Sequence, residues 1–227
     1  LGLNIGHNST ACLVKNGEIV GCVSEERFSR IKNHCGIPFK SVEWLFQQNK
    51  ISIKNIDLVV FDGHYHLFNN QDFGKQFLEA YTSQSKSKKI LSKLGYKFPN
   101  LFKNYLNLKN SLVNNKKSGE KVKLKLANSL NISSDKIIVL DHHLAHAFSS
   151  CFNLPKDKKT LIFTLDGEGS GTCATISIYD RKGLRVISRT TKDASLGYMY
   201  AITTIYLGMK PLEHEFKVMG LSPYAKQ

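Results

Sequence analysis

Residues 141–150 read DHHLAHAFSS, an aspartate and three histidines within six positions. On a helix, residues four apart share a face. His142 and His146 can therefore direct two imidazoles at one metal ion, the geometry that serves the HExxH helix. His143 points roughly 100° away and is the poorer ligand. Asp166, at the end of the next apolar run, would complete a facial set. Two histidines and one carboxylate with open positions suit Fe(II) or Zn(II). The same residues also fit a helix N-terminus capped by Asp141, with the histidines lining a wet cleft.

Three further stretches hold chemistry-bearing types. GHNST offers Gly6 for a bend, the Ser9 and Thr10 hydroxyls, and His7 as an acid, base or anion contact, with Asn8 between. It also reads as an ordinary polar hairpin entry. DGEGSGT places Gly167, Gly169 and Gly171 after a strand that ends in a carboxylate. Small residues let backbone N–H groups approach an anion, so this is a candidate phosphate loop, or else a plain β-turn. EERFSRIKNH gathers Arg27, Arg30, Lys32 and His34. These cations could meet a small anionic substrate, or form a solvated strand end paired with Glu25 and Glu26.

The elements that must position these groups repeat. LGLNIG is a short strand, and the two alternating runs that follow flank Asn16-Gly17, a dipeptide suited to the type I′ hairpin turn. PFKSVEWLFQQ has helical spacing at Val42, Leu45 and Phe46, and IDLVVFDG and IIVL are buried strands. The pattern then restarts: TLIFTLDGEG, a strand, a tight turn at Lys182-Gly183, a third strand, and a helix with Tyr198, Ile202, Ile205 and Tyr206 along one face. Strand, hairpin and helix thus occur twice, at about 1–48 and 160–208. The pattern predicts an α/β, duplicated ribonuclease-H-like fold of the actin-like ATPase type. Residues 1–159 form the first lobe, with a Lys-rich helical insertion at about 74–131, and 160–227 the start of a second, incomplete lobe.

Composition narrows the class. The chain has 227 residues, 41% of them hydrophobic, and no apolar run nears the ~18 residues of a membrane helix. Five scattered cysteines without a CxxC predict neither a disulfide framework nor a zinc knuckle, and fit a reducing cytoplasm. The net charge of +14 is concentrated: residues 75–125 carry thirteen lysines against Glu79 and Glu120 alone. No aromatic–basic RNA motif accompanies them, so a solvated helical insertion is expected rather than a nucleic-acid surface. The chain opens at Leu1 inside a strand pattern, and we expect a piece of a longer polypeptide.

Together, GLNIGHNSTACLVKNGEIVGCVSEERFSRIK, DHHLAHAFSS, TLDGEGSG, SLGYMYAITTIYLGMKP and EFKVMGLSPYA resemble the N-terminal part of the O-carbamoyltransferase family, which includes nodulation and antibiotic carbamoyltransferases. The resemblance spans the chain apart from the Lys-rich insertion. It implies a two-lobed, actin-like domain akin to the tRNA threonylcarbamoyl-transferase fold. It also implies that a C-terminal YrdC-like domain makes carbamoyl-adenylate from carbamoyl phosphate and ATP, and that the present domain transfers the carbamoyl group to an acceptor hydroxyl. The implied iron (Fe2+, or another divalent metal) falls on His142, His146 and Asp166, with a further aspartate beyond Gln227. His7 and Lys32 fall near the carbamoyl and phosphate groups. Gly6, Asn8, Ser9, Gly167, Gly169, Gly171 and Lys217 fall around substrate or nucleotide.

Asn8 stands where the family often has Asp, and Ala225 where Gly is common. Neither a membrane nor a nucleic-acid partner is expected. The rival readings are the threonylcarbamoyl-transferring relative, an actin-like ATPase or sugar kinase, and a non-catalytic basic binding module. Asn4, where a kinase needs Asp, argues against the ATPase.

Overall fold

The computed structural model describes residues 1–62 and 115–225. Most of the Lys-rich segment, including its lysines from 75 to 109, lies outside the described residues.

The first layer is a five-stranded sheet built from β1 (Gly2–Asn4), β2 (Thr10–Lys15), β3 (Glu18–Ser24), β4 (Val59–Asp62) and β5 (Ile137–Leu140). The order is β3-β2-β1-β4-β5. Strands β1, β2 and β3 run antiparallel, while β4 lies parallel to β1 and β5 parallel to β4. The β2–β3 turn forms at Asn16 (φ 52°) and Gly17 (φ 85°), both left-handed as a type I′ turn requires. Leu3, Ala11, Leu13, Val59, Phe61 and Ile137 share one face and are buried.

Two helices cover that face. The short α1 (Glu26–Ser29) leads to α2 (Phe39–Asn49), which contributes Val42 and Leu45. Glu25 replaces a conventional cap: its buried carboxylate accepts from the Ser41 N–H at 2.8 Å, the Ser41 hydroxyl at 2.6 Å and the Lys40 N–H at 3.1 Å. The second helix is α3 (Asn115–Leu130). Its Val122, Leu126, Ala127 and Leu130 recur at helical spacing and join the same core. This end of the expected insertion is therefore built into the fold rather than standing off it.

Helix α4 (His142–Cys151) follows β5 directly, and its Ala147 and Cys151 pack on Ile162 and Tyr179 of the second sheet. That sheet is antiparallel, in the order β6 (Thr160–Gly169), β7 (Thr172–Asp180), β8 (Gly183–Thr191). The β7–β8 turn sits one residue earlier than expected, with Asp180 paired to Gly183.

Helix α5 (Leu196–Tyr206) then packs on β6, and α6 (Glu215–Leu221) follows. The face of α5 differs from expectation. Ala201 and Thr204 are its buried residues, and Ile202 and Tyr206 are exposed. The cause is backbone proximity. A Cβ on Gly197 would stand 2.8 Å from the Gly167 Cα, so only the side bearing Gly197, Ala201 and Thr204 can turn inward. The architecture is thus mixed α/β, with one five-stranded mixed sheet and one three-stranded sheet. Among the described residues, no helix is long and apolar enough to cross a membrane.

Candidate metal centre

Three elements converge where β4, β5 and β6 end. Helix α4 starts at His142 because Asp141 caps it, the Asp141 Oδ1 accepting from the Leu144 N–H at 3.0 Å. The capping reading therefore holds, and it fixes the first turn that carries the histidines. His142 and His146 share a face, with Nε2 atoms 3.1 Å apart. Asp166 Oδ2 lies 2.8 Å from His142 Nε2 and 3.5 Å from His146 Nε2. The Gly167 N–H donates to the other oxygen, Asp166 Oδ1, at 2.6 Å.

The donor set passes a fit test for a cation. Ligands held at about 2.1 Å around one divalent ion stand roughly 3.0–3.4 Å apart in octahedral or tetrahedral geometry. The three separations bracket that range. Two imidazoles and a carboxylate suit a borderline divalent metal, and His146, whose side chain is 52% exposed, leaves a side open to solvent and substrate.

His143 is excluded from the group for a reason stronger than its angle on the helix. It is fully buried, and both ring nitrogens are engaged. Its Nε2 lies 2.9 Å from the Thr172 carbonyl, and its Nδ1 2.7 Å from the Thr164 hydroxyl. A carbonyl can only accept, so Nε2 carries the proton and Nδ1 accepts from Thr164. His143 thereby pins α4 to the β6–β7 hairpin.

The electrostatics follow the contacts. Burial would lower the His142 pKa, but hydrogen bonds to Asp166 and Asp62 outweigh it and raise the value to about 9. Burial would raise Asp166, but bonds from His142, His146 and the Gly167 N–H hold it well below the usual carboxylate range. Desolvation pushes His7 down, with Asp166 and Asp62 pulling upward and His142 downward. His7 thus feels the charges of this cluster.

The other candidates separate. Asn4 shapes the first turn, its Oδ1 accepting from the Gly6 N–H at 2.9 Å and its Nδ2 donating to the His7 and Asn8 carbonyls. Asn8 (φ 60°) sets its Nδ2 3.3 Å from His7 Nδ1. Ser9 is fully buried, and its hydroxyl donates to the Gly36 carbonyl at 2.7 Å. Gly167 backs onto Tyr198, and Gly169 onto His142: a Cβ on Gly169 would fall 1.9 Å from the His142 Cδ2. Gly171 (φ 79°) makes the β6–β7 turn with Ser170 (φ 54°). The glycines of DGEGSG are thus placed by close packing and a tight turn. Lys32 and Lys217 are exposed, and no contact found among the described residues joins them to the centre. Lys217 Nζ stands 5.9 Å from the Phe216 ring.

The motifs alone missed Asp62, whose Oδ2 lies 3.1 Å from His142 Nδ1. A signal was present, since IDLVVFDG and TLIFTLDG are both apolar strands that end in Asp-Gly. Glu168, two residues beyond Asp166, accepts from the Tyr198 hydroxyl and pairs with Lys192 Nζ at 3.3 Å. It borders a cavity of about 440 Å³, floored by Met199 and Ile202.

Relatives include the uncharacterized protein MJ1051 of Methanocaldococcus jannaschii, 30% identical over 99% of this chain and 33% of its own length. Nodulation protein NolNO of Sinorhizobium fredii is 26% identical over 96% of this chain and 28% of its own length. The uncharacterized protein sll1178 of Synechocystis is 27% identical, over 97% and 33% respectively. The chain spans about a third of the length of these relatives. The family profile described as carbamoyltransferase N-terminus matches residues 1–227, and the chain belongs to that family.

Proposed function

We propose that this chain is the transfer domain of an O-carbamoyltransferase, moving a carbamoyl group from carbamoyl-adenylate to a hydroxyl of a small-molecule or glycan acceptor. The adenylate would come from carbamoyl phosphate and ATP, through a YrdC-like domain later in the same polypeptide. The family membership supports the transferase class. The observation that carries the finer reading is the cluster of three donor atoms from His142, His146 and Asp166 at ligand spacing.

The fold supports it as well. The order β3-β2-β1-β4-β5, with an antiparallel hairpin unit followed by two parallel strands, is that expected of a ribonuclease-H-like lobe. The β6-β7-β8 sheet followed by α5 repeats the opening of that lobe. On this reading the exposed Leu161, Phe163 and Leu165 of β6 form a face that the continuing polypeptide covers.

In the transfer, the acceptor oxygen bonds to the carbamoyl carbon, that carbon's bond to the adenylate phosphate oxygen breaks, AMP leaves and the acceptor proton passes to a base. His7 is our base: its lowered pKa leaves the imidazole neutral, and it feels the charges of the cluster. Asn8 Nδ2 lies 3.3 Å from Nδ1 and can only donate, so it keeps the lone pair on Nδ1, the atom that takes the acceptor proton as Asn8 gives way. Lys32, Lys217, the backbone of the Gly6 turn and that of Gly167–Gly171, where β6 runs into its turn, are the groups we assign to the phosphate and nucleotide. The cavity beside Glu168 gives an acceptor room. A divalent cation, Fe2+ in our reading, would supply Lewis-acid polarisation of a carbamoyl or phosphate oxygen.

The test is His146→Ala in the full-length protein, since this ligand is half exposed and its loss spares the core. The variant should lose metal and acceptor carbamoylation while still forming carbamoyl-adenylate. Full metal occupancy in His146→Ala would sink the assignment.

A further inference from the structure

The Asp62–His142 contact lies on the opposite side of the imidazole from His146 and Asp166. We infer that Asp62 is a positioning residue for the metal centre: its carboxylate accepts a hydrogen bond from the Nδ1–H of His142 and turns the lone pair of Nε2 toward the ion. The inference rests on the metal reading above and adds a residue that the ligand motif does not contain.

Strand register delivers the pair. β4 and β5 are parallel, with Asp62 opposite Leu140, and His142 follows two residues later. The carboxyl ends of two adjacent strands therefore set a carboxylate beside an imidazole, in the region where open α/β sheets place their sites. Asp62 Oδ2 stands 3.1 Å from Nδ1, and Asp166 Oδ2 2.8 Å from Nε2. The ring thus spans the two sheets, held at one nitrogen by β4 and facing the β6 carboxylate with the other.

Chemistry assigns the roles. The two nitrogens of an imidazole point in divergent directions, so a carboxylate on Nδ1 does not share an ion bound at Nε2. The group of ligand atoms lying within 4.8 Å of one another accordingly comprises His142, His146 and Asp166. A neutral imidazole has one donor and one acceptor nitrogen. An acceptor-only carboxylate on Nδ1 selects the tautomer whose free lone pair is on Nε2. Such a partner also fixes the ring plane and raises the basicity of the ligand. Both side chains are enclosed, 14% exposed for Asp62 and 10% for His142, so water is a poor substitute for the carboxylate. His146 is the looser ligand, half exposed, and no hydrogen bond is found at its Nδ1 among the described residues.

The experiment titrates the full-length protein with Co2+, followed by visible absorption, in the wild type, Asp62→Leu and Asp62→Asn, with circular dichroism as the check on folding. The two variants share the branched skeleton of four side-chain heavy atoms, but only the amide retains an acceptor for Nδ1–H. We expect Asp62→Leu to weaken Co2+ ten- to hundredfold and Asp62→Asn to fall between it and the wild type. A role in packing alone predicts equal effects of Leu and Asn, and that result would overturn the inference, as would wild-type affinity in Asp62→Leu. Where Asp62→Leu does not fold, Asp62→Asn decides: weaker binding supports the carboxylate, and unchanged affinity overturns it. A wild type that takes up no Co2+ removes the metal reading and this inference together. Normal wild-type uptake with an indifferent Asp62 removes the inference alone.

Discussion

Replacing Gly169 with alanine should remove metal binding without substituting a ligand. The added Cβ would lie 1.9 Å from His142 Cδ2, 2.2 Å from Cγ and 2.6 Å from the His142 Cβ. Carbon atoms settle at about 3.5–4.0 Å, so the ring must retreat by more than 1 Å. It has little freedom to do so. Asp62 holds Nδ1, Asp166 faces Nε2, and the His142 N–H donates to Ser170 Oγ at 3.4 Å. Metal–ligand distances tolerate only about 0.2 Å, so a shift of this size amounts to losing the ligand. We expect affinity for Co2+ to fall by a hundredfold or more, about 3 kcal/mol. Overpacking should cost roughly 1–3 kcal/mol of stability, which a domain of ordinary stability survives. Isothermal titration of Co2+ with parallel thermal melts separates the two effects. Gly171→Ala is the control. Its Cβ meets nothing within 4 Å, and the cost comes from its left-handed φ alone, about 1 kcal/mol. Wild-type Co2+ affinity in Gly169→Ala would refute the packing argument.

Two further outcomes are expected. His143→Ala should lower stability by about 2–4 kcal/mol, through a buried cavity and an orphaned Thr172 carbonyl, read as a fall in Tm; an unchanged Tm would contradict the bonded, buried imidazole. In metal-free protein the raised His142 pKa contributes stability that is full below its ordinary 6.5 and lost as pH rises through about 9, whereas the depressed Asp166 loses its contribution as pH falls through its folded value. Because an ion must displace the His142 proton, apparent Co2+ affinity should instead climb by up to tenfold per pH unit and level off above about 9; an affinity flat from pH 6.5 to 9 would show that His142 is not held protonated in the metal-free protein.

The parts of the fold legible in the sequence are those fixed by local chemistry. Asn16-Gly17 announced its hairpin because few other dipeptides take two left-handed residues in a row. Val42 and Leu45 announced the buried side of α2 because nothing nearby competes for that face. The α5 helix shows where this fails. Its large residues suggested a buried stripe through Tyr198, Ile202, Ile205 and Tyr206, yet the buried side carries Gly197, Ala201 and Thr204. Hydrophobicity ranked the side chains, but the close approach to the Gly167 backbone chose among them, and that approach is a tertiary fact. The same holds for α3: lysines at 121, 123 and 125 made the segment look solvated, while Val122 and Leu126 between them reach the core.

The site divides along the same line. His142 and His146 could be paired on sequence because i,i+4 geometry is local, and Asp166 could be joined to them because it lies toward the far end of the next strand, although β6 runs on to Gly169. Asp62 is 80 residues from His142 and comes to it only through the parallel register of β4 and β5. Gly169 looks like a phosphate-loop glycine in isolation, and its contact with His142 appears only once α4 is laid across β6. The opposite outcome at His143 completes the reasoning. Helical angle alone left it a poor ligand, but the hydrogen bonds to Thr164 and Thr172 make it a structural residue of the core. Of three histidines in five positions, one is therefore consumed by packing, one is held from both sides, and one is left half exposed. On the metal reading proposed above, that division supplies a rigid ligand to set the geometry, a looser one to accommodate exchange, and a buried neighbour that keeps the helix on which both stand in place.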